Sequence, residues 1–286
     1  MKTHVDCFPC IINQTLEAAQ KNQIPDGKKK EVVYNVLEML RELPDDITPP
    51  EVSHRMHRMI GDSLGNDDPY QKARSEANVT AMDIIPGIRK KIKRSSNPLE
   101  TAIRYAIAGQ VFDGETGDGK ADIHRELEYA PKAEFGINHL NKLTGALYDA
   151  DRVVYLANAA GELAFDRLLI EVLRDMFTAE IVLVVRKEPV LTNATLDDAA
   201  FVGVEPLVNL VANRSDAPVT IFEDAGSGVK QQLSDADVVI AKGQTHYESL
   251  NNEDLNIFFL FQVNCPVISK ELDAELHQYV VLHPGG

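Results

Sequence analysis

Lys242 follows an apolar run, Val238–Ile240, and Ala241, and is itself followed by Gly243. A lysine at a strand end beside a glycine is well placed to hold a phosphate. His246, four residues on, is of a type that ligates metals or moves protons, although a lone histidine also serves as an ordinary core residue. A second run, Val153–Leu156, ends in Asn158-Ala159-Ala160-Gly161-Glu162, and Leu163, Phe165, Leu168, Leu169, Val172 and Leu173 then recur at helical spacing. Strand, tight turn and helix make the order of an α/β ligand site, where backbone N–H groups and a helix N-terminus converge.

Two further segments follow predicted strands. Asp224-Ala225-Gly226-Ser227-Gly228 comes after Val219–Phe222. Its glycines permit positive φ and close backbone approach, so its N–H groups could face an anion; a simple turn is equally consistent. The stretch from Arg186 to Thr195 comes after Ile181–Val185. Thr195 suits a helix N-cap, and Asp197 and Asp198 suit the positive end of the helix dipole. Neither reading accounts for Asn193.

Other chemistry-bearing residues have plain explanations. Cys7-Phe8-Pro9-Cys10 is a single Cys-x-x-Cys without a second pair, and His4 offers only a third zinc ligand. The pair precedes a helix instead of following a strand, which argues against a thioredoxin-like role and for buried structural cysteines. His54 and His57 sit a helical turn apart among Arg55 and Arg58, a cationic setting expected on a solvated helix face. Asp113–Gly119 has the composition of a flexible loop but lacks the alternating oxygen ligands and terminal glutamate of a calcium loop.

The elements that must position these residues divide at about residue 146. Before it, apolar faces at helical spacing predict helices through Ile11–Ala19, Val32–Leu40, Glu51–Leu64, Tyr70–Lys93 and Pro98–Ala108, with a break at Pro49-Pro50 and a bend near Pro86-Gly87. After it, strand-like runs at Val153–Leu156, Ile181–Val185, Val219–Phe222, Val238–Ile240, Ile257–Phe261 and Val280–Leu282 alternate with helical stretches such as Phe165–Phe177 and Leu196–Phe201. The expected fold class is α/β: a helical part over residues 1–146, then a Rossmann-like, mostly parallel sheet flanked by helices over residues 147–286.

The bulk composition narrows the partners. A 44% hydrophobic, 26% charged chain of 286 residues is globular in type, and a net charge of −15 disfavours unaided binding to nucleic acid or anionic membrane. An anionic substrate then needs a local cation. No signal peptide and no membrane-length apolar run are evident, and three cysteines make no disulfide framework, so a cytoplasmic location is expected.

Taken together, these segments resemble the damage-control phosphatases, whose ARMT1-like metal-binding domain was long catalogued as a domain of unknown function. The resemblance runs through Cys7–Gln14, Asp68-Pro69-Tyr70, Asn97–Arg104, Ala160–Asp166, Val239–Gln244 and Cys265-Pro266-Val267, and the N-terminal Cys-x-x-Cys points to a prokaryotic, largely archaeal branch. It implies a hydrolase that removes phosphate from a small phosphorylated metabolite such as a sugar phosphate. Mn²⁺, Co²⁺, Ni²⁺ or Mg²⁺ would polarise the phosphoryl group and activate water. By the same resemblance Glu162, Asp166 and Lys242 are the catalytic candidates. Gly226, Gly228, Lys242 and Gln244 are the substrate-binding ones, and Asn158, Asn193 and His246 fall at or beside the metal.

The metal positions depart from the family pattern. Members usually carry Asp-Asn-Ala-Gly-Glu at the first strand end; here the sequence is Asn158-Ala159-Ala160-Gly161-Glu162. The next metal aspartate falls on Asn193, and an asparagine after the Lys-Gly pair falls on His246. Two lost carboxylates remove about two negative charges from the ligand shell, so metal should bind weakly or not at all. The alternative is an inactive descendant that binds a phosphorylated ligand or a protein. Gln110 and Asp113 lie in another segment similar to the family and could bring ligands from the helical part.

Overall fold

A computed structural model describes residues 1–61, 68–113 and 123–285. The expected loop after Asp113 lies outside the described residues, as does Leu64, the expected end of the third helix. In chain order the helices are α1 (Phe8–Lys21), α2 (Asp26–Arg41), α3 (Pro49–Gly61), α4 (Gln71–Arg94), α5 (Pro98–Ala108), α6 (Ile123–Tyr129), α7 (Leu140–Asp149), α8 (Leu163–Met176), α9 (Leu196–Val202), α10 (Ser227–Ser234), α11 (Gln244–Leu250) and α12 (Pro266–Leu272). The strands are β1 (Phe135–Asn138), β2 (Arg152–Leu156), β3 (Glu180–Arg186), β4 (Asn209–Asn213), β5 (Val238–Lys242), β6 (Ile257–Gln262) and β7 (Tyr279–Leu282).

The strands form one sheet in the order β1-β7-β6-β5-β2-β3-β4. The five from β6 to β4 run parallel; β7 is antiparallel to β6, and β1 runs with β7. Strands covered on both faces read as unbroken apolar runs, which is why β2, β3, β5 and β6 were recognisable in sequence. Side-chain alternation divides them between two cores. Val153, Tyr155, Leu183, Ile240 and Leu260 pack with α4, α5, α7, α8 and α9; Val154, Leu156, Val184, Val239 and Phe259 pack with α10, α11 and α12.

The helices before residue 146 separate into two groups. Helices α1–α3 enclose their own core of Ile11, Val32, Val36 and Met56, whereas Ile85, Ile103 and Leu143 from α4, α5 and α7 belong to a face of the sheet. Strand β1 also enters the sheet from before residue 146. The three-helix group is fastened by the Met1 amine, which donates to the Glu248 carbonyl at 2.8 Å and to Asn251 Oδ1 at 3.0 Å.

Two local expectations are corrected. Val219–Phe222 forms no strand; Ala217, Val219 and Ile221 instead bury one another in a small separate cluster. The strand there is β4, an edge strand only partly covered, whose Asn209-Leu210-Val211-Ala212-Asn213 is too polar to stand out as an apolar run. Pro49-Pro50 opens α3 instead of breaking the chain, because a first-turn proline lacks only an N–H that no helical bond requires. Among the described residues no helix is long and apolar enough to cross a membrane.

Candidate active site at the strand ends

Strand β2 delivers Asn158, β5 delivers Lys242, and the first turns of α8 deliver Glu162 and Asp166, so all four converge where the parallel strands end. Lys242 has none of its surface exposed, and its Nζ donates to Glu162 Oε1 at 2.6 Å, Asp166 Oδ1 at 2.7 Å and the Ala106 carbonyl at 2.7 Å. An ammonium has three hydrogens, and all three are used. Lys242 therefore has no donor left for a phosphate; it binds two buried acids of α8 to the end of α5.

Burial alone would lower the Lys242 pKa, but the charges of Asp166 and Glu162 outweigh it and the net direction is upward. Burial pushes Asp166 up to about 6 against the pull of Lys242, with Glu162 adding to the rise. Asp166 Oδ1 also accepts from the Tyr155 hydroxyl at 2.7 Å, while its Oδ2 is buried without a partner.

Asn158 Nδ2 donates to Glu162 Oε2 at 2.9 Å and to Asp113 Oδ2 at 3.2 Å. Both partners are acceptors, which fixes the orientation of the amide. Asp113 Oδ1 in turn accepts from the Thr192 hydroxyl at 3.0 Å. The Ala194 N–H donates to the Asn158 carbonyl at 2.9 Å, and Asn193 forms a β-bridge with Ala159. Asn193, for which the sequence offered no local role, has its Oδ1 buried and unpartnered beside this group. Thr195 caps α9 as expected, in a reciprocal capping box with Asp198.

Gly243 makes the close packing at Asn158 achievable. Its φ is +88°, and a Cβ there would lie 2.9 Å from Asn158 Cγ. Gly243→Ala is therefore expected to cost roughly 1–3 kcal/mol, read as a lowered melting temperature, through backbone strain and displacement of Asn158. An unchanged melting temperature would refute the close approach.

The remaining expected site residues fall elsewhere. His246 is 2% exposed, donates from Nδ1 to the Lys242 carbonyl at 2.6 Å and accepts from the Thr220 N–H at 3.4 Å through Nε2. Burial lowers its pKa to about 3, so it is a neutral imidazole with both nitrogens engaged. Gln244 is likewise engaged at both ends, donating to Glu248 Oε1 at 2.8 Å and accepting from the Asn264 N–H at 3.0 Å. Gly226 and Gly228 lie at the start of α10, where an added Cβ would meet nothing within 4 Å.

His54 is buried, not on a solvated face, and its Nε2 meets Asp216 Oδ1 at 2.9 Å. His54, Asp216 and Asp224 form the one grouping of three metal-ligand types among the described residues. Arg58 already holds both Asp216 oxygens at 2.7 Å, so this carboxylate's charge is paired with a guanidinium. Cys7 is buried and its thiol is pushed up to about 11, chiefly by burial, which suits the inert structural reading. Cys10 is exposed, and Cys7, Cys10 and Cys265 are all free thiols.

The order and spacing of these segments match a known family. The model of the Damage-control phosphatase ARMT1-like domain matches residues 3–280. The chain belongs to that family. A damage-control phosphatase of Archaeoglobus fulgidus is 28% identical over 98% of each chain, and one of Pyrococcus horikoshii is 26% identical over 95% of this chain and 94% of its own. A crystal structure of a DUF89 family protein from Pyrococcus horikoshii has the same fold, with a TM-score of 0.85, 24% identity and 99% of both chains covered. Family membership supports a phosphatase-type role for the chain, and the resemblance read from sequence extends nearly end to end.

Sequence reasoning brought Glu162, Asp166, Lys242 and Asn158 to one place. It gave Asp113 only a passing role, although Asp113 joins Asn158 to Thr192 across segments 45 and 79 residues apart. It assigned nothing to Arg186 or Asn213. Their signal was present: each is a polar residue at the carboxyl end of a strand.

Proposed function

We propose that this protein hydrolyses phosphoric monoesters of small metabolites, sugar phosphates among them, with a weakly held divalent metal. The observation that carries this reading is the Asn158 amide donating to both Glu162 and Asp113 beside the orphaned Asn193 oxygen. The donors gathered there are hard oxygens, which suit Mg²⁺ or Mn²⁺. Asp113 supplies a carboxylate, while Asn158 and Asn193 supply neutral amide oxygens and Ala159 none. That set fits a divalent ion but holds it with less charge than the family pattern provides.

A metal bound by Asp113, Asn158 and Asn193 would polarise the phosphoryl group and acidify a water. The chain's own contribution is positioning. Lys242 locks Glu162 and Asp166, Glu162 Oε2 orients the Asn158 amide, and Thr192 orients Asp113. Lys242 acts through these carboxylates and does not grip the phosphate.

Protein stripped of metal and assayed with p-nitrophenyl phosphate is expected to show slow turnover that Mn²⁺, Co²⁺ or Ni²⁺ stimulates. Asp113→Asn should reduce that stimulation by at least about tenfold, since it removes the charged ligand. Ala159, which deletes a ligand outright, favours a second reading in which the chain binds phosphorylated metabolites without hydrolysing them. Absence of stimulation by all three ions would overturn the first reading in favour of the second.

A further inference from the structure

Arg186, at the carboxyl end of β3, is 5% exposed. Among the described residues its guanidinium makes no hydrogen bond or ion pair, and its Nη1 is buried with no partner. A buried charge is ordinarily paired, because taking an ion out of water is costly unless a counter-ion compensates it. The nearby carboxylates, Asp224 and Asp216, act on it through space, but their hydrogen bonds go to other groups. Both Asp216 oxygens are held by Arg58, one of them also by His54, and Asp224 Oδ2 accepts from the Ser215 hydroxyl. Burial lowers the Arg186 pKa to about 10, with Asp224 and Asp216 opposing, so the group remains cationic at neutral pH.

Asn213 ends the neighbouring strand β4 and is the register partner of Arg186. It is 1% exposed; its Oδ1 accepts from the Ser215 N–H at 3.1 Å, which turns Nδ2 away as a donor, and Nδ2 too is buried without a partner. Two unpartnered donors, one charged, thus stand on adjacent strands at the carboxyl edge of the sheet. Lys242, the cation first expected to hold phosphate, has no hydrogen to spare.

We propose that Arg186 and Asn213 form an oxyanion subsite that holds the phosphate group of the ligand without needing the metal. The proposal rests on the reading that the ligand is phosphorylated. It explains why a cation is buried unpaired: the bound phosphate is its counter-ion. A planar guanidinium and a neighbouring amide match two oxygens of one tetrahedral anion. The His246 imidazole, neutral and also buried, leaves the local charge to Arg186.

The test uses the full-length protein with EDTA present and titrates inorganic phosphate by thermal shift and calorimetry. A carboxylate probe, succinate, forms the parallel arm. Phosphate is expected to bind and raise the melting temperature, and succinate to do so less. Arg186→Met should weaken phosphate binding by at least about tenfold, the loss expected for a charge-assisted hydrogen-bonded pair. The same change should leave or raise the melting temperature without phosphate, because it removes an unpaired buried charge; a merely structural arginine would lower it. Asn213→Asp supplies a counter-ion inside the protein. It should raise the basal melting temperature and abolish the phosphate shift.

No phosphate binding by the wild-type protein, undiminished binding by Arg186→Met, or a larger effect of succinate than of phosphate would each overturn the subsite. Because metal is absent and no turnover is measured, failure here is distinct from failure of the hydrolytic reading. That reading fails when metals do not stimulate release of p-nitrophenol.

Discussion

The triple change Asn158→Asp, Ala159→Asn and Asn193→Asp is expected to raise metal-stimulated p-nitrophenyl phosphate hydrolysis by about a hundredfold or more, and to tighten Mn²⁺ binding in parallel. The first and third substitutions are close to isosteric, so the backbone that places them, including the Gly243 approach to residue 158, need not move. They return two negative charges to a shell that now has one carboxylate, Asp113, from the helical part. Changes in outer-shell groups alone alter metal affinity by roughly 10–100-fold, so direct ligands should do at least as much. Ala159→Asn returns the missing side-chain oxygen at a position that is fully buried, and is the substitution most dependent on local repacking.

The same change should make folding depend on metal. Asn158 Nδ2 now donates to both Glu162 and Asp113; an aspartate there would instead place three carboxylates together. Without a cation, like charges repel and the variant should melt below the wild type; added Mn²⁺ should reverse the order, as expected when a ligand binds only the native state. A triple variant that binds Mn²⁺ no more tightly than wild type would show that the ligand positions are misassigned. One that binds tightly but hydrolyses no faster would place the deficit outside the metal site.

The parts of the fold that sequence conveyed are those buried on both sides. The central strands carry Val, Ile and Leu on successive residues because each face meets helices, and α5 announced its start through the Asn97 cap and Pro98. The edge strands gave little. Phe135–Asn138 alternates half-buried with exposed residues, and β4 begins and ends with asparagine. The site divides in a similar way. Residue identity located Glu162, Asp166 and Lys242, but only three-dimensional contacts reveal that Lys242 is saturated and that Arg186 is unpaired. A lysine and an arginine at strand ends look alike in sequence. Which one is free depends on acids contributed from a helix some 80 residues away in sequence.

Lys242→Met should destabilise the protein by roughly 3–5 kcal/mol in urea denaturation at neutral pH, the cost of breaking a buried ion pair by removing one partner. The ammonium sits between Glu162 and Asp166, all three side chains being wholly buried, and methionine fills much of the volume without the charge. The loss should depend on pH with a definite sign. Asp166 already has its folded pKa raised above its ordinary 3.8 to about 6, so its protonated form favours the native state below that range and this benefit is lost as pH rises through about 6. Removing the Lys242 charge, which holds the value down, should raise it further and extend the loss of stability to higher pH. The variant is then least impaired near pH 4 and most impaired above neutrality. Adding Asp166→Asn should recover part of the stability, because one uncompensated charge disappears with the side chain that carried it, and the two changes should be markedly non-additive. Additive losses, or a variant whose stability is flat from pH 4 to 8, would mean that Lys242 serves only as packing and that its two carboxylate partners do not depend on its charge.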